Sequence, residues 1–224
     1  MKTQSYALLG TLLLVSVSTA QAQPLFSFES DLDGWVLSGF NAKPVTLGTS
    51  ATGATHGLRS LTLTQTGGGF SWNAKRDNSG QDAFAVAMNQ AALNPNLWRL
   101  ELDVTYRDAD IPDGSVTYLN LSLWMNSDAG FKNVHSLAFT GGHEDTTKNL
   151  SIALTDFAAT PLAPNSSFYQ LGIGMNGDWG DGSAVVYFDN IRLTPVPEPS
   201  TVALLSLGGV AGLGALLRRR KAAH

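Results

Sequence analysis

From Pro24 to Thr194 the chain is a succession of short, β-rich segments cut apart by Gly, Asn, Asp and Pro. The pattern predicts strands at 25–29, 35–38, 58–64, 70–75, 97–107, 115–126, 134–140, 149–154, 168–176 and 184–193. Only 82–93 can hold a short helix. Parallel strands need long crossovers, and the chain offers none. The segments are therefore expected to pair antiparallel and bury one face each, which makes an all-β, antiparallel sandwich the expected fold. Gly67-Gly68-Gly69 reads as a hairpin turn, and residues 160–165 as a loop.

Strand phase separates a core side from a wet side. Trp98, Leu100, Leu102, Val104 and Tyr106 point one way, and Arg99, Glu101, Asp103, Thr105 and Arg107 the other. Leu119, Leu121, Leu123 and Met125 oppose Tyr118, Asn120, Ser122, Trp124 and Asn126. Tyr169, Leu171, Ile173 and Met175 oppose Gln170, Gly172, Gly174 and Asn176. A wet face carrying amides beside a ring suits sugars, because rings stack on pyranose faces and amides bond hydroxyls. Trp124 with Tyr118 and Asn120 is the candidate platform, and Trp72 and Trp179 lie near turn-rich sequence where a loop-end site can form. Taken singly, each tryptophan reads first as core.

Composition excludes several classes. The 14 Lys and Arg face 18 Asp and Glu, and the formal charge falls from −4 to −9 once Lys2 and the four cations of 218–221 are set aside. An acidic body is a poor partner for nucleic acid or for an anionic membrane surface. With no cysteine there are no disulfides, thiolate metal sites or cysteine nucleophiles. Glu101 and Asp103 share a strand face at ~7 Å, near the spacing of a retaining glycosidase. Arg99 and Arg107 on that face point instead to surface ion pairs. His143-Glu144 lacks the second histidine of a zincin helix.

Both ends read as targeting segments. Lys2, the apolar run 6–17 and Ala20-Gln21-Ala22 make 1–22 a signal peptide, handled by the secretion translocon. At the other end Pro197-Glu198-Pro199 lies in a Pro-rich linker, 195–200. An uncharged run at 201–217 is just long enough for a transmembrane helix, and Arg218, Arg219, Arg220 and Lys221 open a basic cytoplasmic tail, 218–224. This order resembles the PEP-CTERM sorting signal of Gram-negative bacteria. The resemblance implies transient anchoring in the inner membrane, recognition by an exosortase (a membrane protease) and release to the cell surface or exopolysaccharide matrix. A permanent single-pass anchor is the alternative.

The body, 23–194, resembles the jelly rolls of carbohydrate-binding modules and galactose-binding-like domains. The resemblance is carried by Phe28-Glu29 with Gly34-Trp35, by Gly57-Leu58-Arg59-Ser60-Leu61, and by Asp189-Asn190-Ile191. It implies a structural Ca²⁺ shared by the first and last strands, at Glu29 and Asp189 with carbonyls near Asp31 and Ser60. Asp189 also shares strand parity with Tyr187, Ile191 and Leu193, and a carboxylate on an apolar face needs a partner or a metal. Acceptance of backbone N–H groups is the other reading of Asp189. The expected function is non-catalytic polysaccharide binding in an exopolysaccharide or biofilm matrix. The alternatives are a structural matrix protein and a polysaccharide-cleaving enzyme. Jelly-roll glucanases, which carry E-x-D and a further Glu, are matched only in part, since Thr105 and Tyr106 stand where that Glu would be.

Overall fold

The computed structural model describes residues 22–79, 82–112, 118–139, 145–157 and 162–196. Most of the signal peptide, His143, Glu144, Pro197, Glu198, Pro199, the apolar run and the arginine cluster lie outside the described residues. Two sheets face each other. The first runs β3 (Val45–Ser50), β4 (Ser60–Thr66), β11 (Ser183–Pro195), β6 (Trp98–Tyr106), β9 (Thr146–Ala153), with β1 (Gln23–Pro24) paired to the end of β11. The second runs β2 (Trp35–Leu37), β5 (Ser71–Ser79), β10 (Phe168–Gly177), β7 (Leu119–Ser127), β8 (Gly130–Phe139). All pairs are antiparallel.

The alternation read from the sequence is the alternation that builds the core. Leu100, Leu102 and Val104 of β6, Leu119, Leu121, Leu123 and Met125 of β7, and Tyr169, Leu171, Ile173 and Met175 of β10 are all buried between the sheets. Burying each aliphatic side chain contributes about 1.5–3 kcal/mol. The expected helix is α1 (Ala83–Leu93), and its first turn is capped by Asp82, whose Oδ1 accepts from Ala85 N at 2.9 Å. It buries Phe84, Ala87, Met88 and Ala91. The Phe84 ring sits 5.3 Å from that of Phe26, which meets Trp35 edge-on at 5.7 Å.

Five expectations are corrected. Residues 25–29 do not form a strand: Phe28 is left-handed (φ 56°), and Ser27 N and Phe28 N both donate to Asp33 Oδ2. Val45–Ser50, half exposed and therefore without a clean apolar phase, is a strand that the pattern missed. Gly67–Gly69 is a corner between sheets rather than a hairpin turn. Its three N–H groups donate to the carbonyls of Gly182, Gly180 and Gly177 at 2.7 Å each. Fourth, a bulge at Asn190 (φ 54°) reverses the parity of β11, so Val186 and Phe188 before it and Ile191 and Leu193 after it all enter the core. Asp189 therefore lies with Tyr187 on the outer face. Last, the linker expected at 195 starts later: Thr194 and Pro195 pair with Arg99 and Trp98, and Val196 N donates to Leu97 O at 2.8 Å.

Candidate functional site

The outer face of the second sheet carries an aromatic cleft. Trp124 stands opposite Gly172 on the neighbouring strand. A Cβ on Gly172 would lie 1.9 Å from Trp124 Cε2, so the indole rests directly on bare backbone, and glycine is what allows it. Trp72 meets Trp124 edge-on at 5.8 Å and Phe131 edge-on at 5.4 Å, while Phe131 tilts over Trp124 at 5.8 Å. These are favoured aromatic geometries. Together they cover Trp124 down to 5% exposure and leave Phe131 50% and Phe40 82% exposed. Trp124 is thus the floor of the cluster, and the phenylalanines are its open surface.

A polar row runs beside the rings. Asn126 Nδ2 donates to Gln170 Oε1 (2.9 Å), Gln170 Nε2 donates to Asp77 Oδ1 (3.0 Å), and Lys75 Nζ donates to Asp77 Oδ2 (2.7 Å). The bonds from Lys75 and then Gln170 hold the Asp77 carboxyl below its ordinary range. Each amide orientation is fixed by its neighbour, so the row presents preset donors and acceptors. Rings and row line a cleft of about 340 Å³, closed on one side by Ser38, Gly39 and Phe40. That loop is itself tied down: Ser38 N donates to Asn73 O, and Asn41 Nδ2 donates to the carbonyls of Ser38 and Asn73.

The outer face of the first sheet is built differently. Asp189, 1% exposed, receives Thr55 N (2.6 Å) and His56 N (2.7 Å) on Oδ2 and Asn190 N on Oδ1. Glu29 Oε1 receives Leu58 N (2.9 Å) and Arg59 N (3.3 Å) and lies where a Cβ on Gly57 would stand. Asp31 Oδ1 receives Asp33 N, and Ser60 Oγ donates to Thr52 O. A cation needs bare oxygens converging on one point. As placed, both Asp189 oxygens and one oxygen each of Glu29 and Asp31 accept N–H groups in separate turns, while Ser60 Oγ donates to a carbonyl. Among the described residues no three His, Asp or Glu side chains group to hold a metal ion. Of the two readings of Asp189, N–H acceptance is the one this geometry carries.

Glu101 and Asp103 belong to the same bonded surface. Glu101 pairs with Arg192 at 2.7 Å, while Arg99 turns to Ser151. Asp103 receives Asn149, Thr55 and Asn190 side chains. Burial works to raise both carboxyls, yet the hydrogen bonds outweigh it and hold both below the ordinary range. A general acid would need the opposite shift.

Trp124 is therefore the member of the expected platform that the cleft uses. Tyr118 and Asn120 lie further along the same outer face and do not line it. Trp179 is corrected to the core: it is 1% exposed, with its ring packed over Gly177. Phe40, Phe131 and Lys75 were missed. Phe131 stands opposite Asn126 across the Asp128–Ala129 turn. Paired residues share a face, so reading Ser127–Gly130 as a hairpin would have placed Phe131 beside Trp124.

The chain carries a PEP-CTERM protein-sorting motif at residues 195–221. The match contains Pro197, Glu198, Pro199, Arg218, Arg219 and Arg220 and implies export with sorting to the surface or beyond it. Among solved structures, the chain resembles carbohydrate-binding module CBM27-1 of Caldicellulosiruptor saccharolyticus, solved with mannohexaose (TM-score 0.51, 15% identity, covering 80% of this chain and 99% of that one). It also resembles a structure from work on the promiscuous specificity of carbohydrate-binding modules of the β-sandwich superfamily (TM-score 0.50, 18% identity, 80% of this chain). There it spans 64% of the other chain's length. No curated protein sequence matches. At such identities the likeness shows the fold, a carbohydrate-binding-module jelly roll.

Proposed function

We propose that this is an exported, non-catalytic glycan-binding protein of a Gram-negative cell surface or exopolysaccharide matrix. The observation that carries the reading is the cleft, where exposed Phe131 and Phe40 stand beside a fixed row of amide and charged groups. A sugar ring stacks on the phenylalanines while its hydroxyls meet Lys75, Asn126 and Gln170. The sandwich likeness supports this, since the neighbouring modules are carbohydrate binders. The lowered Glu101 and Asp103 carboxyls, on the other sheet, support a role without bond cleavage. The translocon exports the chain, 201–217 holds it briefly in the inner membrane, and an exosortase reads Pro197-Glu198-Pro199 and releases it. Co-sedimentation with exopolysaccharide purified from the producing cells tests binding. The folded chain should pellet with the polymer and be freed by competing oligosaccharide. A folded chain that stays in the supernatant would leave a structural surface protein in its place.

A further inference from the structure

The two ends of the sandwich differ. At one end, the turns around β6, β9, β10 and β11 gather Asp108, Asp110, Asp145, Asp178 and Asp181. At the other, Ala83–Trp98 contains no charged residue across α1, the one-turn helix Pro95–Leu97 and Trp98. Charged groups flank that segment: Asp82 at the N-cap of α1, Asp128 and Asp156 on separate turns, Lys132 at Asp156 and Arg99 beside Trp98. Leu93 at the end of α1 is 64% exposed, at the opposite end of the helix from its Asp82 cap.

The described chain enters and leaves the sandwich beside this uncharged segment. Gln23 enters the sheet beside Leu193, and Pro195 leaves it beside Trp98. The last backbone bond, Val196 N to Leu97 O, fixes the exit against the one-turn helix. Thr201, where the apolar run begins, is five residues on. Five residues reach at most ~17 Å, so a chain anchored by that run cannot hold this end far from the bilayer.

We propose that, before processing, Leu93, the 95–97 turn and Trp98 rest on the membrane surface, with the acidic end directed away. The inference takes the occupant from chain length and rests on 201–217 as a membrane span. Leucine and a half-buried tryptophan suit the headgroup zone, and an anionic bilayer repels the acidic end.

The chain lacks cysteine, so single labels are simple to place. Leu93→Cys, Asn96→Cys and Asp181→Cys in the full chain, each carrying an environment-sensitive dye, are reconstituted into phosphatidylethanolamine–phosphatidylglycerol vesicles containing a shallow nitroxide lipid. The labels at 93 and 96 should be quenched several-fold more than the label at 181. Equal quenching in chains that float with the vesicles would overturn the proposal and keep the anchor. Failure to float would overturn the anchor and the proposal together, leaving the glycan cleft untouched.

Discussion

The outer faces of the two sheets show the same alternation in sequence and opposite uses in structure. On the first sheet, Glu101, Asp103 and Asp189 are consumed by Arg192, Asn149, Asn190 and the backbone of 55–56. On the second, the polar row bonds along itself, and Phe131 and Phe40 remain open. A wet strand face can thus be a fastening that holds loops down or a surface prepared for a ligand. The distinction lies in the rings, because both polar sets are bonded within the chain and only the second face leaves Phe131 and Phe40 open.

Substitutions on the two faces should separate stability from binding. The largest effect is expected from Asp189→Ala, which removes the buried carboxylate that accepts from Thr55 N, His56 N and Asn190 N. A loss of about 3 kcal/mol in denaturant unfolding is expected, with glycan affinity of the folded fraction unchanged. A loss under ~1 kcal/mol would mean the loop is held otherwise. Gly172→Ala should break the comparison, since its Cβ must push the Trp124 indole off the sheet. About 2 kcal/mol of stability and the glycan affinity should fall together, visible as a shifted tryptophan emission. Phe131→Ala should weaken glycan binding about tenfold, ~1.4 kcal/mol, and cost less than that in stability.

Acid should act on the first sheet. The Glu101 and Asp103 carboxyls sit below their unfolded values, so their contribution is complete at neutral pH. It is lost as pH falls below about 4, through the folded values. Arg192→Gln should shrink that acid-sensitive part of the unfolding curve. The smallest effect is expected from chelation: EDTA should leave the melting temperature of the chain where it was. A drop would restore a metal ion to the Glu29–Asp189 region.

Much of the sandwich was legible because period-two alternation is what two facing sheets require, as β6, β7 and β10 show. Where local backbone departs from that period, the reading failed. The Asn190 bulge moved Asp189 from the core face to the outer one, and the Gly67–Gly69 corner changed sheets where a hairpin was expected. Trp124 was found through its phase, and Gly172 and Gly174 were a sign of rings lying on the sheet. Phe40 and Phe131 come from a loop and a strand start where no periodicity marks a side. Trp179 shows the reverse error, because a loop tryptophan folded inward over Gly177.

The account turns on the second sheet's cleft. Affinity electrophoresis of the purified chain and its Phe131→Ala variant, through gels containing the producing organism's exopolysaccharide, tests it most directly. Retardation of the parent chain that competing sugar reverses, and that Phe131→Ala largely loses while keeping its fold, is the predicted result. Equal mobility with and without the polymer, or retardation indifferent to Phe131, would contradict it.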